Sequence, residues 1–153
     1  MKEQSLKFIF RKTMEKALAT KHILLIDDDP ISNMINTKII KINFSFLVDA
    51  YTDAQEALDQ FSAWLSTSPD QFPDIIFLDI NMPIMDGWEF LEEFEKFPAI
   101  FRKKCNVYLL TSSIDAEDIE KSTTYKSVKE FISKPLTLDK LRMLAGENEV
   151  SHL

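Results

Sequence analysis

Residues 22–30, HILLIDDDP, and 74–87, DIIFLDINMPIMDG, decide how this chain folds. Each carries an uninterrupted run of Ile, Leu or Phe that ends on aspartate. Such a run is too short for a membrane helix but right for a strand buried on both faces, and strands of that kind belong to a parallel sheet. Two further segments repeat the design: VYLLTSS at 107–113 and FISKP at 131–135. Asp27, Asp28, Asp79, Thr111 and Lys134 therefore each follow an apolar run, directly or one residue on. In open α/β sheets the ligand crevice lies beyond the carboxyl ends of the strands, so these five residues stand where chemistry is expected.

Working outward, strand one covers 23–26, and Pro30 suits the first turn of a helix, where its missing N–H costs nothing. Ile31, Met34, Ile35, Ile39 and Ile42 keep helical spacing to about residue 41, and 46–50 reads as a second strand. Asp53 caps a second helix with Ala57, Leu58, Phe61 and Leu65 on one side. Strand three, 75–78, leads to a helix that starts near Asp86-Gly87, presents Phe90, Leu91 and Phe94, and stops before Pro98. Strand four is 107–110. The fourth helix, 116–123, has Ile119 as its only large aliphatic residue, so it buries little and is a candidate moving part. Strand five is 130–133, and a last helix over 138–144 ends at Gly146.

Five βα units in about 125 residues mean an α/β fold with helices on both faces of a five-stranded parallel sheet. The expectation is a doubly wound, flavodoxin-like sheet of strand order 2-1-3-4-5. That order sets strands one and three side by side at the switch point, so that Asp27 and Asp28 would face Asp79.

The bulk numbers narrow the function. The chain has 153 residues, of which 45% are apolar and 28% charged, enough for one domain with a real core and no room for a second output domain. A net charge of −7 argues against nucleic acid as a partner, because phosphate backbones are bound chiefly through Lys and Arg. One cysteine, Cys105, excludes an internal disulfide and fits a cytoplasmic location; it reads as a small buried hydrophobe beside strand four. No segment is apolar for long enough to insert in a bilayer. The expected division is an N-terminal extension at 1–20, a domain at 21–146 and a tail at 147–153. The extension reads as flexible or helical, with Leu6, Phe10, Met14 and Leu18 at four-residue spacing. Its patch Phe8-Ile9-Phe10 is too short for a signal peptide.

Three carboxylates in one crevice repel one another and stay ionised together only if a cation joins them. Oxygen ligands without His or Cys favour magnesium or manganese over zinc. Asp79, ending the central strand, is placed to act as a nucleophile toward a phosphoryl group, giving an acyl phosphate. Phosphoryl transfer depends mainly on positioning and charge neutralisation, for which Lys134 supplies an ammonium and Thr111 a hydroxyl.

On the acidic pair of LLIDDDP, the aspartate of FLDINMPIMDG, the hydroxyl of LLTSS and the lysine of FISKP, in this order and spacing, the chain resembles the receiver domains of two-component response regulators over residues 21–146. Single-domain chemotaxis types are among them. The resemblance implies that Asp79 is phosphorylated, that Asp28 ligates Mg2+ directly and Asp27 mainly through water, and that Asn81 gives its backbone carbonyl. It implies that Lys134 pairs with the phosphoryl oxygens beside a cis bond to Pro135, while Thr111 swings toward the phosphate and Phe131 turns inward behind it. Partners would be a histidine kinase or phosphotransfer protein upstream and an effector protein downstream, read through helix four, strand five and helix five. The protein would be cytoplasmic, a monomer or weak homodimer, and not a turnover enzyme. Glu130, where a glycine often precedes strand five, and Ser112, in place of alanine, depart from the family pattern. Asn81 and Ser113 occupy the positions that tune phosphoryl lifetime.

Other readings attach to single residues. Asp29 matches no family ligand and reads as the cap of helix one. Trp64 and Trp88 read as packing residues at helix surfaces, and His22 and His152 lack partners in any motif. Two rival functions remain to be weighed. A binding module could keep the fold without using phosphate. A haloacid-dehalogenase-type phosphohydrolase would also form an aspartyl phosphate, but it needs the nucleophile first and a second carboxylate two residues on, where this chain has Asn81.

Overall fold

The computed structural model describes residues 5–7 and 21–145. A five-stranded, all-parallel sheet of order β2-β1-β3-β4-β5 forms its centre. The strands are β1 (His22–Ile26), β2 (Leu47–Tyr51), β3 (Ile75–Asp79), β4 (Asn106–Thr111) and β5 (Val128–Ser133). The helices are α1 (Pro30–Asn43), α2 (Ala54–Thr67), α3 (Gly87–Phe94), α4 (Ala116–Ser122) and α5 (Leu138–Ala145). The expected strand order and α/β class are therefore met. Most of the N-terminal extension and all of the 147–153 tail lie outside the described residues; Leu6, within them, is exposed.

β1 and β3 are buried along their whole length, as their unbroken apolar runs require. Side chains alternate between faces, so the runs feed two cores. Ile23, Leu25, Ile75 and Phe77 pack with Ile40 and Phe44 of the α1 region and with Leu141 of α5. Leu24, Ile26, Ile76 and Leu78 pack on the other side with Leu58 and Phe61 of α2 and Phe90, Leu91 and Phe94 of α3. Phe61 sits at the centre of the second core, with the rings of Phe72, Phe94 and Phe97 at centroid distances of 5.1, 5.4 and 5.8 Å.

Four features differ from the sequence reading. A 3-10 turn at Pro69–Gln71 and a four-residue helix at Ala99–Arg102 occupy stretches expected to be loop. β5 begins at Val128, two residues before the expected strand. α1 has the expected span but buries a different face. Ile31, Met34, Ile35 and Ile42 are exposed, while Asn33, Asn36 and Ile40 are buried. Ile31, Met34, Ile35 and Ile42 share one side of this helix, and it faces solvent; the inner side carries Asn33, Asn36 and Ile40, with the Asn33 amide on the carbonyls of Asp27 and Tyr51.

Candidate functional site

β1 and β3 are neighbours in register, Ile26 opposite Leu78, so Asp27 follows one strand just where Asp79 ends the other. Thr111 ends β4 and pairs in register with Ser133, the last residue of β5, which sets Lys134 at the same edge. The Lys134 backbone N–H donates to the Thr111 carbonyl at 2.9 Å, and the Lys134–Pro135 bond is cis. Tertiary structure thus brings together all five residues that follow the apolar runs.

Carboxylate oxygens of Asp27, Asp28 and Asp79 lie within 4.8 Å of one another. Asp27 and Asp79 are buried, at 2% and 4% exposure, and Asp28 faces solvent. The Lys134 ammonium bridges the buried pair, 3.0 Å from Asp27 Oδ2 and 3.3 Å from Asp79 Oδ2. One ammonium cannot balance three carboxylates at this spacing. Burial pushes the Asp79 carboxyl up to about 6, aided by the charge of Asp27, although the Asn81 N–H and Lys134 pull the other way. For Lys134 burial acts to lower the ammonium's pKa, but the hydrogen bond and charge of Asp27, with those of Asp79, outweigh it and raise it. A hard divalent cation is the species that relieves this excess of negative oxygen, and an all-oxygen donor set fits magnesium.

The remaining lone pairs are held by the backbone. Asp27 Oδ1 accepts from the Asp29 N–H at 2.9 Å, and Asp79 Oδ1 accepts from the Asn81 N–H at 3.0 Å. Both carboxylates are thereby fixed in rotamer with one oxygen left toward the crevice. The Thr111 hydroxyl donates to the Ser113 carbonyl at 2.8 Å. Asp29 caps α1 as expected, accepting from Ile31 N–H, which holds its carboxyl below the usual range. Phe131 is half-buried, its ring edge-on to Trp88 at 6.4 Å.

Several residues that shape the site were not singled out for it by sequence. Asn33 Nδ2 donates to the carbonyls of Asp27 and Tyr51, each at 3.1 Å, and so ties the ends of β1 and β2 together. The spacing of Ile31, Met34 and Ile35 put Asn33 on the other side of the helix, so no signal along the chain pointed to it. Gly87 packs against the backbone that carries Asp79: a Cβ there would stand 2.7 Å from Ile80 Cα and 2.9 Å from the Asp79 carbonyl oxygen. Ile84, in the loop after β3, is fully exposed with φ of 70°, a strained pose for a β-branched residue. At the opposite edge of the sheet His22 is buried, its ring nitrogens 2.6 Å from Asp49 Oδ2 and 2.8 Å from the Gln71 carbonyl. Its partners come from other elements, which is why no motif showed them. Trp88 is interior rather than superficial, at 9% exposure.

Fold and site together define a doubly wound α/β domain with an acidic pocket at its switch point. A family model for the response regulator receiver domain matches residues 23–145, and the chain belongs to that family. Such domains bind Mg2+ at an acidic pocket and are in general not turnover enzymes. A two-component response regulator from Cytophaga hutchinsonii superposes with a TM-score of 0.73 at 34% identity, covering 86% of this chain and 97% of that one. A response regulator receiver protein from Dyadobacter fermentans gives 0.71 at 26% identity, with 82% and 94% covered. Among curated proteins, chemotaxis protein CheY of Bacillus subtilis is 27% identical over 78% of this chain and 89% of its own length. Sensor protein EvgS of Escherichia coli K12 is 28% identical over 86% of this chain, which spans only 10% of that protein. The chain likewise spans half of the DctR response regulator of Halalkalibacterium halodurans. Among the described residues no helix is long and apolar enough to cross a membrane.

Proposed function

We propose that this chain is the phosphoacceptor of a two-component system, with Asp79 as the residue modified. The observation that carries the reading is the grouping of Asp27, Asp28 and Asp79 within 4.8 Å, with Lys134 bridging the two buried members. The donor is a phosphohistidine on a sensor histidine kinase or phosphotransfer protein. An Asp79 carboxylate oxygen attacks phosphorus, a P–O bond forms and the P–N bond breaks. The electron pair returns to the donor's imidazole, which takes up a proton.

Asp27, Asp28, Asp79 and the backbone carbonyl of Asn81 would hold Mg2+. When bound, the ion supplies positive charge against the phosphoryl oxygens. The chain's own residues do the rest. Lys134 gives an ammonium to the same oxygens, and the Asn81 N–H keeps Asp79 oriented. Thr111 exchanges its bond to the Ser113 carbonyl for one to the phosphoryl group, and Phe131 turns inward into the space beside it. The effector, another protein, reads the altered α4–β5–α5 surface. In this reading the chain works in the cytoplasm as a monomer or weak homodimer and does not turn over substrate.

Intact mass after incubation with acetyl phosphate and Mg2+ tests it. The parent should gain about 80 Da, one phosphoryl group, and Asp79→Asn should not, nor should the parent in EDTA. An unchanged parent mass together with undetectable beryllofluoride binding would favour a phosphate-independent binding module instead.

A further inference from the structure

We infer that the indole of Trp88 is the main side-chain anchor of α4, and that through it the acidic pocket is coupled to the α4 surface along the start of α3 as well as through Phe131. The inference rests on the phosphoacceptor reading, since it concerns how the state of that site reaches the surface.

α4 has no apolar face of its own to hold it. Of its seven residues only Ser122 is buried, and that hydroxyl donates back to the helix's own Ile119 carbonyl at 2.6 Å. Ile119, its one large aliphatic residue, is 48% exposed. The anchoring comes instead from two side chains that meet the same ring. Lys121 Nζ stands 4.8 Å from the Trp88 ring centroid, and Tyr125, just past the helix, stacks on Trp88 at 6.0 Å with 26° between the planes. Cation–π and offset aromatic contacts of this kind are attractive beyond simple area burial. The third ring against Trp88 is Phe131 of β5. One indole therefore touches α4, the segment after it, and the aromatic residue of β5.

The other side of Trp88 leads to the pocket. Its chain neighbour Gly87 donates its N–H to the Ile80 carbonyl at 3.2 Å, and even a methyl group at Gly87 would collide with Ile80 and the Asp79 carbonyl. The first turn of α3 is thus packed directly on the backbone of Asp79–Ile80, so a shift there carries Trp88 with it. Phe131 forms part of the present arrangement, and drawing it toward Thr111 would strip one side from the indole. The Trp88 contacts thus belong to the resting arrangement, and loosening them shifts the population toward the phosphoryl-bound one. Lys121, Tyr125 and Trp88 are positioning residues; none touches the reacting atoms.

The test uses the full chain with beryllofluoride and Mg2+ as the probe, its affinity measured by titration calorimetry, and the rate of labelling by acetyl phosphate as a second readout. Lys121→Gln removes the cation from a solvent-exposed position, and Tyr125→Leu removes the stack but keeps apolar bulk; circular dichroism checks that each is folded. Each variant should bind beryllofluoride about three- to tenfold more tightly and be labelled faster by a similar factor. A merely structural role for these side chains would leave both readouts where they are. Unchanged or weaker binding in Lys121→Gln, with the parent binding normally, overturns the inference. A parent that neither binds beryllofluoride nor is labelled overturns the phosphoacceptor reading itself, and the inference with it.

Discussion

Asp79 is the residue on which the pocket's electrostatics converge. Its carboxyl is raised to about 6, first by burial. Without metal the folded state therefore holds this proton more tightly than the unfolded chain, where the group titrates near 4. The stability that this preference contributes is fully present below about pH 4 and is lost as pH rises through 6. Asp79→Asn has no such loss. In EDTA, chemical denaturation at a series of pH values should show the variant gaining on the parent from pH 4 to pH 7. The advantage at neutral pH should be on the order of 1–2 kcal/mol, smaller than burial alone implies because the crevice side is open to solvent. A difference that stays constant across that range would mean the carboxyl is not destabilised by burial. Neighbouring residues complete the local picture: Asn33 and the Asn81 N–H fix what Asp27 and Asp79 can do, yet neither is itself acidic or reactive.

At the scale of elements, helix ends do much of the positioning. Asp29, Asp53 and Asp115 each cap the helix that follows, and Asp86 forms a capping box with Glu89 at the start of α3. Asp29 and Asp53 were readable in sequence as caps and Asp86-Gly87 as a helix start; Asp115 was not, because the helix after it has no apolar period to announce it. α3 is set most tightly, because Gly87 lies against Ile80 and Asp79. Gly87→Ala must push the α3 start away from β3, an overpacking that should cost about 1–3 kcal/mol. Denaturant midpoints measure that cost, and acetyl phosphate labelling of the folded fraction should fall with it. An alanine variant as stable and as readily labelled as the parent would show that the contact has room to give. α4 lies at the other extreme, and its weak burial was legible in its sequence. What holds it was not, because Trp88 is 33 residues before Lys121 and on another element.

For the molecule as a whole, the pocket joins β1, β3, β4 and the segment after β5, and its three carboxylates repel one another with only one ammonium among them. Mg2+ binding should therefore stabilise the entire domain. A ligand that binds only the native state at a hundred times its Kd adds about 2.7 kcal/mol, enough to raise the melting temperature by several degrees. Calorimetry or circular dichroism melts with Mg2+ against EDTA at neutral pH should show this rise in the parent and its loss in Asp28→Asn. Asp28 is the suitable control because it faces solvent and its replacement disturbs no buried pair. Equal melting temperatures with and without Mg2+ in the parent would remove the cation from the reading.

By itself the sequence determined the class of fold, the strand order and the five side chains gathered at one edge. Apolar runs ending in polar residues record burial on both faces and the chain direction at once, and both are local properties of a strand. The element bounds departed by only a few residues, most visibly at β5. Only the tertiary structure decided which face of α1 turns inward: the stripe of Ile31, Met34, Ile35 and Ile42 faces out, and the inner side sets Ile40 on the core and the Asn33 amide on the carbonyls of Asp27 and Tyr51. It alone joined His22 to Asp49 and Gln71, and Trp88 to Lys121, Tyr125 and Phe131. Those contacts depend on which surfaces meet when separate elements pack, and spacing along the chain carries no record of that meeting.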